Sequence, residues 1–277
     1  MLLHQEGDRR TRSLEIAEKL KPVEFPRSAS YDPDWVLENL MGPNVLWLAE
    51  SLSQVMDLQP RMRVLDMGCG KAVSSIFLAK EFGVQVWAND LWIDASENWR
   101  RVCESGVQDR VFPIRAEAHA LPYAKGFFDA LVSLDAYHYF GTDDLYLGSC
   151  FAPLVKPGGQ IGIVVPGLAR EFDADPPAHL AEKWAREWEF WSFHAPEWWR
   201  RHWSRTGLVD VEVADRIPDG WRHWANWDEA SLGLGFVPEA FAATLPEWIE
   251  TLRTDAGTNL GFTRMVARRR PEISVAD

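Results

Sequence analysis

Short, continuous apolar runs recur along the first two thirds of the chain, and amphipathic segments separate them. The first run, Val64-Leu65, is followed by runs that predict strands at residues 84–90, 110–117, 127–135 and 160–165. Val64 and Leu65 form the apolar run of a parallel strand, which is covered on both faces and need not alternate with polar residues. The segments between the predicted strands predict helices at residues 74–82, 97–105 and 143–154. This alternation predicts βαβ units and a mostly parallel sheet with right-handed crossovers.

Helical patterns flank this region on both sides. Toward the N-terminus, helices are predicted around Arg12–Leu20, from Asp32-Pro33-Asp34 onward, and from Asn44 to about Met56. Beyond Pro166, the pattern predicts helices at residues 178–193, 197–206, 229–234 and 238–254, and strands at residues 209–214 and 261–268. Residues 209–214 alternate apolar and polar side chains, as an antiparallel or edge strand does. We therefore predict an α/β fold: a doubly wound, mostly parallel, seven-stranded sheet with helices on both faces and helical cap segments at both ends.

A glycine-rich turn, Asp66-Met67-Gly68-Cys69-Gly70, joins the first predicted strand to the next helix. Gly68 and Gly70 allow the backbone to turn sharply and leave room for a ligand against it. The following helix directs its unpaired N–H groups and the positive end of its dipole at that space. Asp66 lies at the carboxyl end of the strand, where open α/β sheets bind ligands. The turn therefore predicts a ligand site, and an ordinary corner without a ligand is the alternative.

Composition narrows the class of protein. The net charge of −12 argues against binding to a nucleic-acid backbone, which depends on an excess of Lys and Arg. Three widely spaced cysteines predict neither a disulfide framework nor a metal site, and they fit a reducing cytoplasm. The N-terminus becomes polar within a few residues, so we expect no signal peptide, and no apolar run is long enough to span a membrane. Tryptophan is abundant, with fifteen residues, most of them after residue 180.

Four segments in order along the chain carry a resemblance to a known family. They are Val64–Gly70, the acidic strand end at Asp90, Ala116-Glu117-Ala118 with Leu121-Pro122, and Leu154–Gly159. With these segments the chain resembles the class I, Rossmann-like S-adenosylmethionine-dependent methyltransferases that act on small molecules. The resemblance covers residues 60–166 well and 196–269 more loosely. It implies an N-terminal arm with cap helices at 1–59, a cofactor-binding core at 60–166, and Trp-rich cap insertions with the last strands at 167–277.

The resemblance also implies which residues hold S-adenosylmethionine. Asp66, Gly68 and Gly70 would shape the turn around the methionine end of the cofactor, and Asp90 would accept hydrogen bonds from both ribose hydroxyls. The remaining expected contacts are with the adenine, from Leu91, Trp92, Ala116, Glu117 and Ala118. The family pattern often has a third glycine where this chain has Ala72. An alanine costs little there unless the position requires a positive φ.

The residues after the fourth strand are expected to face the acceptor. Asp135 would contact the cofactor beside the transferred methyl group, and Tyr137 and His138 are the candidate catalytic residues, with His138 as the candidate general base. For His138, packing behind the sheet edge is the alternative. His194 and His223 are interpreted as structural, and we assign Cys69 no chemistry. We see no cluster of residues with metal-ligand spacing.

The tryptophans after residue 180 have two interpretations. Their helical spacing is more typical of core packing. Alternatively, some of Trp191, Trp221, Trp224 and Trp227 roof an aromatic pocket for a flat aromatic substrate or a cationic amine.

Two other functions compete with small-molecule methyl transfer. A nicotinamide dehydrogenase would need a glycine where this chain has Val73, and Asp66 fits the methyltransferase pattern better. A catalytically idle, cofactor-binding partner protein would use an exposed tryptophan surface for protein contact. The identity of the acceptor, the atom methylated and the oligomeric state are left open by the sequence.

Overall fold

The computed structural model describes residues 20–237 and 239–271, and the seven strands within them form one sheet. The strands are β1 (Arg63–Met67), β2 (Gln85–Asp90), β3 (Val111–Arg115), β4 (Phe128–Leu134), β5 (Val155–Leu168), β6 (Val209–Arg216) and β7 (Leu260–Arg269). Their spatial order is β3-β2-β1-β4-β5-β7-β6. Strands β1 to β5 are parallel, whereas β7 is antiparallel to both of its neighbours. The predicted fold class and the edge position of β6 are confirmed.

The strand order reverses between β1 and β4. Strand β1 pairs with β2 on one side and with β4 on the other. Open α/β sheets bind ligands at such a reversal, outside the carboxyl ends of the strands. The glycine-rich turn and the residues after β2 and β4 therefore meet at one edge of the sheet.

Nine α-helices occur in the described part of the chain. They are α1 (Pro33–Glu38), α2 (Val45–Ser53), α3 (Val73–Phe82), α4 (Ala95–Glu104), α5 (Ala178–Arg186), α6 (Pro196–Ser204), α7 (Gly220–Leu234), α8 (Glu239–Ala242) and α9 (Leu245–Asp255). Asp32 and Asn44 cap α1 and α2 through their side chains, as their positions before each helix predict. Gly83 ends α3 in the left-handed conformation.

Four predicted helices differ from the structure. The segment predicted as one helix at 143–154 contains a π-helical turn, Leu147–Phe151, followed by a 3₁₀ turn, Ala152–Leu154, whose Pro153 cannot donate an intrahelical bond. The helix predicted at 178–193 ends at Arg186 and is followed by a 3₁₀ turn, Trp188–Ser192.

The third difference is α7, which is far longer than the predicted segment 229–234. The three-residue spacing of Trp221, Trp224 and Trp227 is the start of its helical pattern. The predicted helix 238–254 is divided between α8 and α9. The helix expected around Arg12–Leu20 lies outside the described residues except for Leu20.

The sheet is covered on both faces. Val64 belongs to an apolar cluster formed with α2, α3 and α7, whereas the neighbouring Leu65 belongs to a second cluster formed with α6 and residues 146–154. Alternate residues of β1 thus point to opposite layers, which explains its continuous apolar sequence. Within the described range, no helix combines the length and the apolar character needed to cross a membrane.

Candidate active site

The turn between β1 and α3 has a left-handed backbone at every second residue. Gly68, Gly70 and Ala72 have φ values of 74°, 52° and 61°. Gly68 is also required by space, because a Cβ there would lie 2.4 Å from the Cβ of Ala136. Ala72 therefore does have the positive φ at which an alanine is unfavourable. For an L-residue this conformation costs about 1–2 kcal/mol. The Ala72 side chain is fully buried in the core, so the surrounding packing holds this conformation.

Asp66 lies behind the turn rather than in front of it. Its Oδ2 accepts hydrogen bonds from the hydroxyls of Ser74 and Ser75, both at 2.6 Å, in the first turn of α3. Its other oxygen, Oδ1, is buried without a partner among the described residues. Burial raises the pKa of Asp66 to about 6, against the lowering effect of the two serine hydrogen bonds. The carboxyl group thus fixes the start of the helix and retains one unsatisfied acceptor.

Asp90, at the end of β2, is held in place by backbone groups. Its Oδ1 accepts from the N–H groups of Trp92 and Ile93 at 2.8 and 2.9 Å, and its Oδ2 accepts from the N–H of Gly70 at 2.8 Å. The last bond ties the end of β2 directly to the glycine-rich turn. A carboxylate offers about four acceptor sites, so this preorganised group can still accept from a ligand.

A cavity of about 240 Å³ opens beside this turn. Gly68, Gly70 and Asp90 line it, together with further residues that were expected to contact a cofactor: Leu91, Trp92, Ala116, Glu117, Ala118 and Asp135. Asp66 is the expected cofactor residue that does not line it.

Glu117, in the wall of the cavity, is fixed by its own loop. Its carboxylate accepts from the backbone N–H of His119 and pairs with the His119 ring, both at 2.8 Å. The hydrogen bond from His119 is the main reason why the pKa of Glu117 is lowered. Leu91 and Trp92 form an exposed rim, with 48% and 70% of their surface accessible.

The segment between α1 and α2 forms the roof of the cavity. Met41, Gly42 and Pro43 line it, and Trp227 of α7 donates from Nε1 to the carbonyl oxygen of Gly42 at 2.9 Å. A Cβ at Gly42 would lie 2.7 Å from Oδ2 of Asp135, so this glycine permits a close approach of roof and floor. The bond from Trp227 to Gly42 therefore joins the helical cap segments that are predicted at the two ends of the chain.

A profile of the methyltransferase domain family matches residues 64–159. The matched residues form a methyltransferase domain. The match begins within β1 and ends at Gly159 in β5, so it includes the glycine-rich turn and the residues that follow β2 and β3.

Curated relatives of the methyltransferase domain are themselves methyltransferases. Methyltransferase GfsG of Streptomyces halstedii is 30% identical over 117 residues, which are 42% of this chain and 42% of the relative. The 2-methyl-6-phytyl-1,4-hydroquinone methyltransferase of Synechocystis sp. is 27% identical over 201 residues, or 70% of this chain and 54% of the relative. The chain thus spans about half the length of the curated relatives it matches.

A solved structure has the same architecture. The geranyl diphosphate C-methyltransferase of Streptomyces coelicolor A3(2), in complex with Mg²⁺, geranyl diphosphate and S-adenosyl-L-homocysteine, superposes with a TM-score of 0.61. It is 19% identical, and the alignment covers 80% of this chain and 78% of that chain. At this identity the likeness concerns the fold alone.

The two residues expected to be catalytic are placed behind the cavity of the methyltransferase domain. The Tyr137 ring is fully buried among aromatic side chains that include Trp199 and Trp203. Burial lowers the pKa of His138, and its Nε2 lies 3.7 Å from Oε1 of Glu189. Neither Tyr137 nor His138 lines the cavity.

Several cavity residues had no expected role in the sequence. Asn39, Leu40, Lys71, Tyr139 and Phe140 line the cavity, as do the roof residues. Tyr139 and Phe140 lie in the segment that follows the fourth strand, and this position could have indicated the cavity wall that they form. Nothing local marks the segment 39–43, because it reaches the site only through the packing of α1 and α2.

Of the four tryptophans considered as a roof, only Trp227 lines the cavity. Trp224 packs on Phe262 in the core, and Trp191 is 62% exposed with its Nε1 bonded to the carbonyl of Trp184. Core packing is therefore the main role of the tryptophans in this part of the chain, together with one cavity wall.

Proposed function

We propose that this protein transfers the methyl group of S-adenosylmethionine to a small-molecule acceptor in the cavity beside the glycine-rich turn. The observation that carries the proposal is Asp90, whose carboxylate is held by three backbone N–H groups at the strand-order reversal. Such a fixed acceptor suits a ligand that presents a pair of hydroxyl groups. The matched family supports the same reaction.

The residues around the cavity fit this cofactor. Asp90 is proposed to hold the ribose hydroxyls, and Leu91, Ala116 and Ala118 to enclose the adenine. The backbone of Gly68 to Gly70 is proposed to hold the methionine end, and Asp66 to support the turn from behind through its bonds to Ser74 and Ser75. When bound, S-adenosylmethionine supplies an electrophilic methyl group on a sulfonium sulfur.

The protein's part in the reaction is to position the acceptor and to exclude water. The roof formed by Met41, Gly42 and Trp227 restricts access from one side. We propose Asp135, which lines the cavity, as the group nearest the acceptor. His138 is proposed as a positioning residue, because it reaches the cavity only through the neighbouring Tyr139 ring, whose centroid is 4.0 Å away.

The same proposal gives each part of the chain a role. Residues 60–166 are the cofactor-binding core, residues 1–59 contribute an arm and cap helices, and residues 167–277 contribute cap elements and the last two strands. We further propose a cytoplasmic location, supported by Cys69, Cys103 and Cys150, which are all free thiols.

Isothermal titration calorimetry tests the cofactor assignment. The wild-type chain is expected to bind both S-adenosylmethionine and S-adenosylhomocysteine at one site. Asp90→Ala should weaken both by at least tenfold, because each hydrogen bond to a charged group contributes about 1.5–3 kcal/mol.

Asp109→Ala is the matched control, because the Asp109 side chain is 74% exposed and remote from the cavity lining. This variant should bind like the wild type. The proposal fails if the wild type binds neither ligand, and the ribose assignment fails if Asp90→Ala binds normally.

A further inference from the structure

The acceptor side of the cavity has a carboxylate with no counter-charge. Asp135 lines the cavity directly after β4. No group among the described residues donates a hydrogen bond to its carboxylate, and only its backbone N–H is bonded, to the carbonyl of Val164 at 2.8 Å. Its φ of 54° is a left-handed conformation that few residues other than glycine adopt. Backbone strain of this kind persists at ligand sites because surrounding packing enforces it.

Two further carboxylates lie close behind Asp135. Asp228 is 6% exposed, and its Oδ2 has no partner among the described residues. Asp228 directly follows Trp227, which lines the cavity and is bonded to Gly42 above Asp135. Glu189 accepts from the hydroxyl of Tyr139 at 2.9 Å, in the same wall. Burial, Glu189 and Asp228, in that order, raise the pKa of Asp135 well above its usual range.

No basic side chain of the cavity balances this group. Lys71 is the one lysine or arginine in the described lining, and its Nζ donates to the carbonyl oxygen of Glu38 at 3.2 Å beside the glycine-rich turn. Five further residues of the same cavity lining are apolar or aromatic: Met41, Pro43, Tyr139, Phe140 and Trp227. Aromatic faces attract cations and exclude anions.

We propose that the methyl acceptor is an amine with an apolar body, which enters as its ammonium cation and pairs with Asp135. This inference rests on the proposed function, because it assigns the acceptor of the same cavity. The cation supplies the counter-charge that Asp135 lacks, and the apolar walls hold the remainder of the molecule. A neutral or anionic acceptor would give the Asp135 carboxylate no cationic partner.

Asp135 also accepts a proton in the proposed reaction. An ammonium nitrogen has no free lone pair, so one N–H bond must break before the nitrogen can bond to the methyl carbon. The electron pair of that N–H bond stays on nitrogen, and the proton passes to a carboxylate oxygen of Asp135. As the N–C bond forms, the methyl–sulfur bond breaks and its electron pair stays on sulfur. The raised pKa of Asp135 suits it to accept this proton and later release it to water.

A rival role for Asp135 is to balance the positive charge of S-adenosylmethionine itself. Ternary binding separates the two roles, because S-adenosylhomocysteine has lost the sulfonium charge. Calorimetry is performed on the full chain saturated with S-adenosylhomocysteine. The probes are two size-matched sets: 2-phenylethylamine, 2-phenylethanol and phenylacetate, and hexylamine, hexanol and hexanoate.

In at least one set, the amine should bind tenfold or more tightly than the alcohol, and the carboxylate should not bind. Asp135→Asn keeps the shape and tolerates the left-handed backbone. It should weaken the amine at least tenfold, with changes below twofold for the alcohol and for S-adenosylhomocysteine. Asp228→Asn should weaken the amine less, because Asp228 does not line the cavity, and the exposed control Asp109→Asn should change nothing.

The inference is overturned if no amine binds better than its alcohol, or if Asp135→Asn leaves amine binding intact. It is also overturned if Asp135→Asn weakens S-adenosylmethionine by the same factor as the amine, since the carboxylate then serves the cofactor. These failures leave the proposed function standing, because wild-type binding of S-adenosylhomocysteine is measured first. Loss of that binding would instead refute the proposed function.

Discussion

Replacement of Gly68 by alanine tests whether the glycine-rich turn has the geometry described. Gly68 has a φ of 74°, and a Cβ at this position would lie 2.4 Å from the Cβ of Ala136, after β4. Two separate costs are therefore expected from one methyl group. The turn must hold a left-handed alanine, and the ends of β1 and β4 must separate.

The magnitudes follow from these two terms. A left-handed L-residue costs about 1–2 kcal/mol, and forcing an extra methyl group into a packed region costs about 1–3 kcal/mol. Gly68→Ala should therefore lower the free energy of unfolding by about 2–5 kcal/mol. Gly106→Ala is a matched control: Gly106 has a φ of 70°, but nothing lies within 4 Å of the added Cβ. Gly106→Ala should lose only the stability that corresponds to the left-handed conformation, about 1–2 kcal/mol.

Urea unfolding of both variants, followed by circular dichroism, gives the two free energies, and calorimetry gives their affinity for S-adenosylhomocysteine. We expect Gly68→Ala to be the less stable by about 1–3 kcal/mol and to bind the ligand more weakly, whereas Gly106→Ala binds normally. Equal losses of stability in the two variants would refute the close approach of Gly68 to Ala136.

Three further predictions concern the roof, a helix end and a buried acid. Gly42→Ala should lower affinity for amine probes at least tenfold in the same calorimetry, because the new Cβ would lie 2.7 Å from the Asp135 carboxylate, and unchanged binding would contradict the described roof. Ala256→Gly should raise the free energy of unfolding by about 1 kcal/mol, seen as a higher Tm, because the exposed Ala256 ends α9 with a φ of 47°; no gain would refute the left-handed assignment. Burial raises the pKa of Asp228 to about 8, so the folded state binds this proton more tightly than the unfolded state and stability falls as pH rises from about 4 to about 8. Asp228→Asn should remove about 2 kcal/mol of the loss between about pH 6 and 8 in urea unfolding, and a parallel pH profile of the variant would contradict it.

The strands and the glycine-rich turn could be predicted because their signals are local. Residues 63–70 contain both the apolar run and the glycines, and Asp32 and Asn44 stand directly before the helices they cap. Long α7 was missed in part, because its first half contains three tryptophans instead of an ordinary amphipathic stripe. The helix predicted at 143–154 failed because Pro153 interrupts the hydrogen-bond pattern.

The site itself depends on contacts that are distant in sequence. The bond from Trp227 to Gly42 joins residues 185 positions apart, and no local pattern indicates it. Asp135 and His138 are three positions apart, yet one lines the cavity and the other packs behind it. The sequence predicts that this segment lies near the acceptor, but the direction of each side chain depends on the backbone turn that begins at Asp135.

A crystal structure of the complex with S-adenosylhomocysteine tests the central claim most directly. We predict that the ligand occupies the cavity of about 240 Å³, with both ribose hydroxyls within hydrogen-bond distance of the Asp90 carboxylate. The three backbone bonds to that carboxylate should be retained. A ligand bound elsewhere on the surface, or one in the cavity with its ribose away from Asp90, would contradict the account.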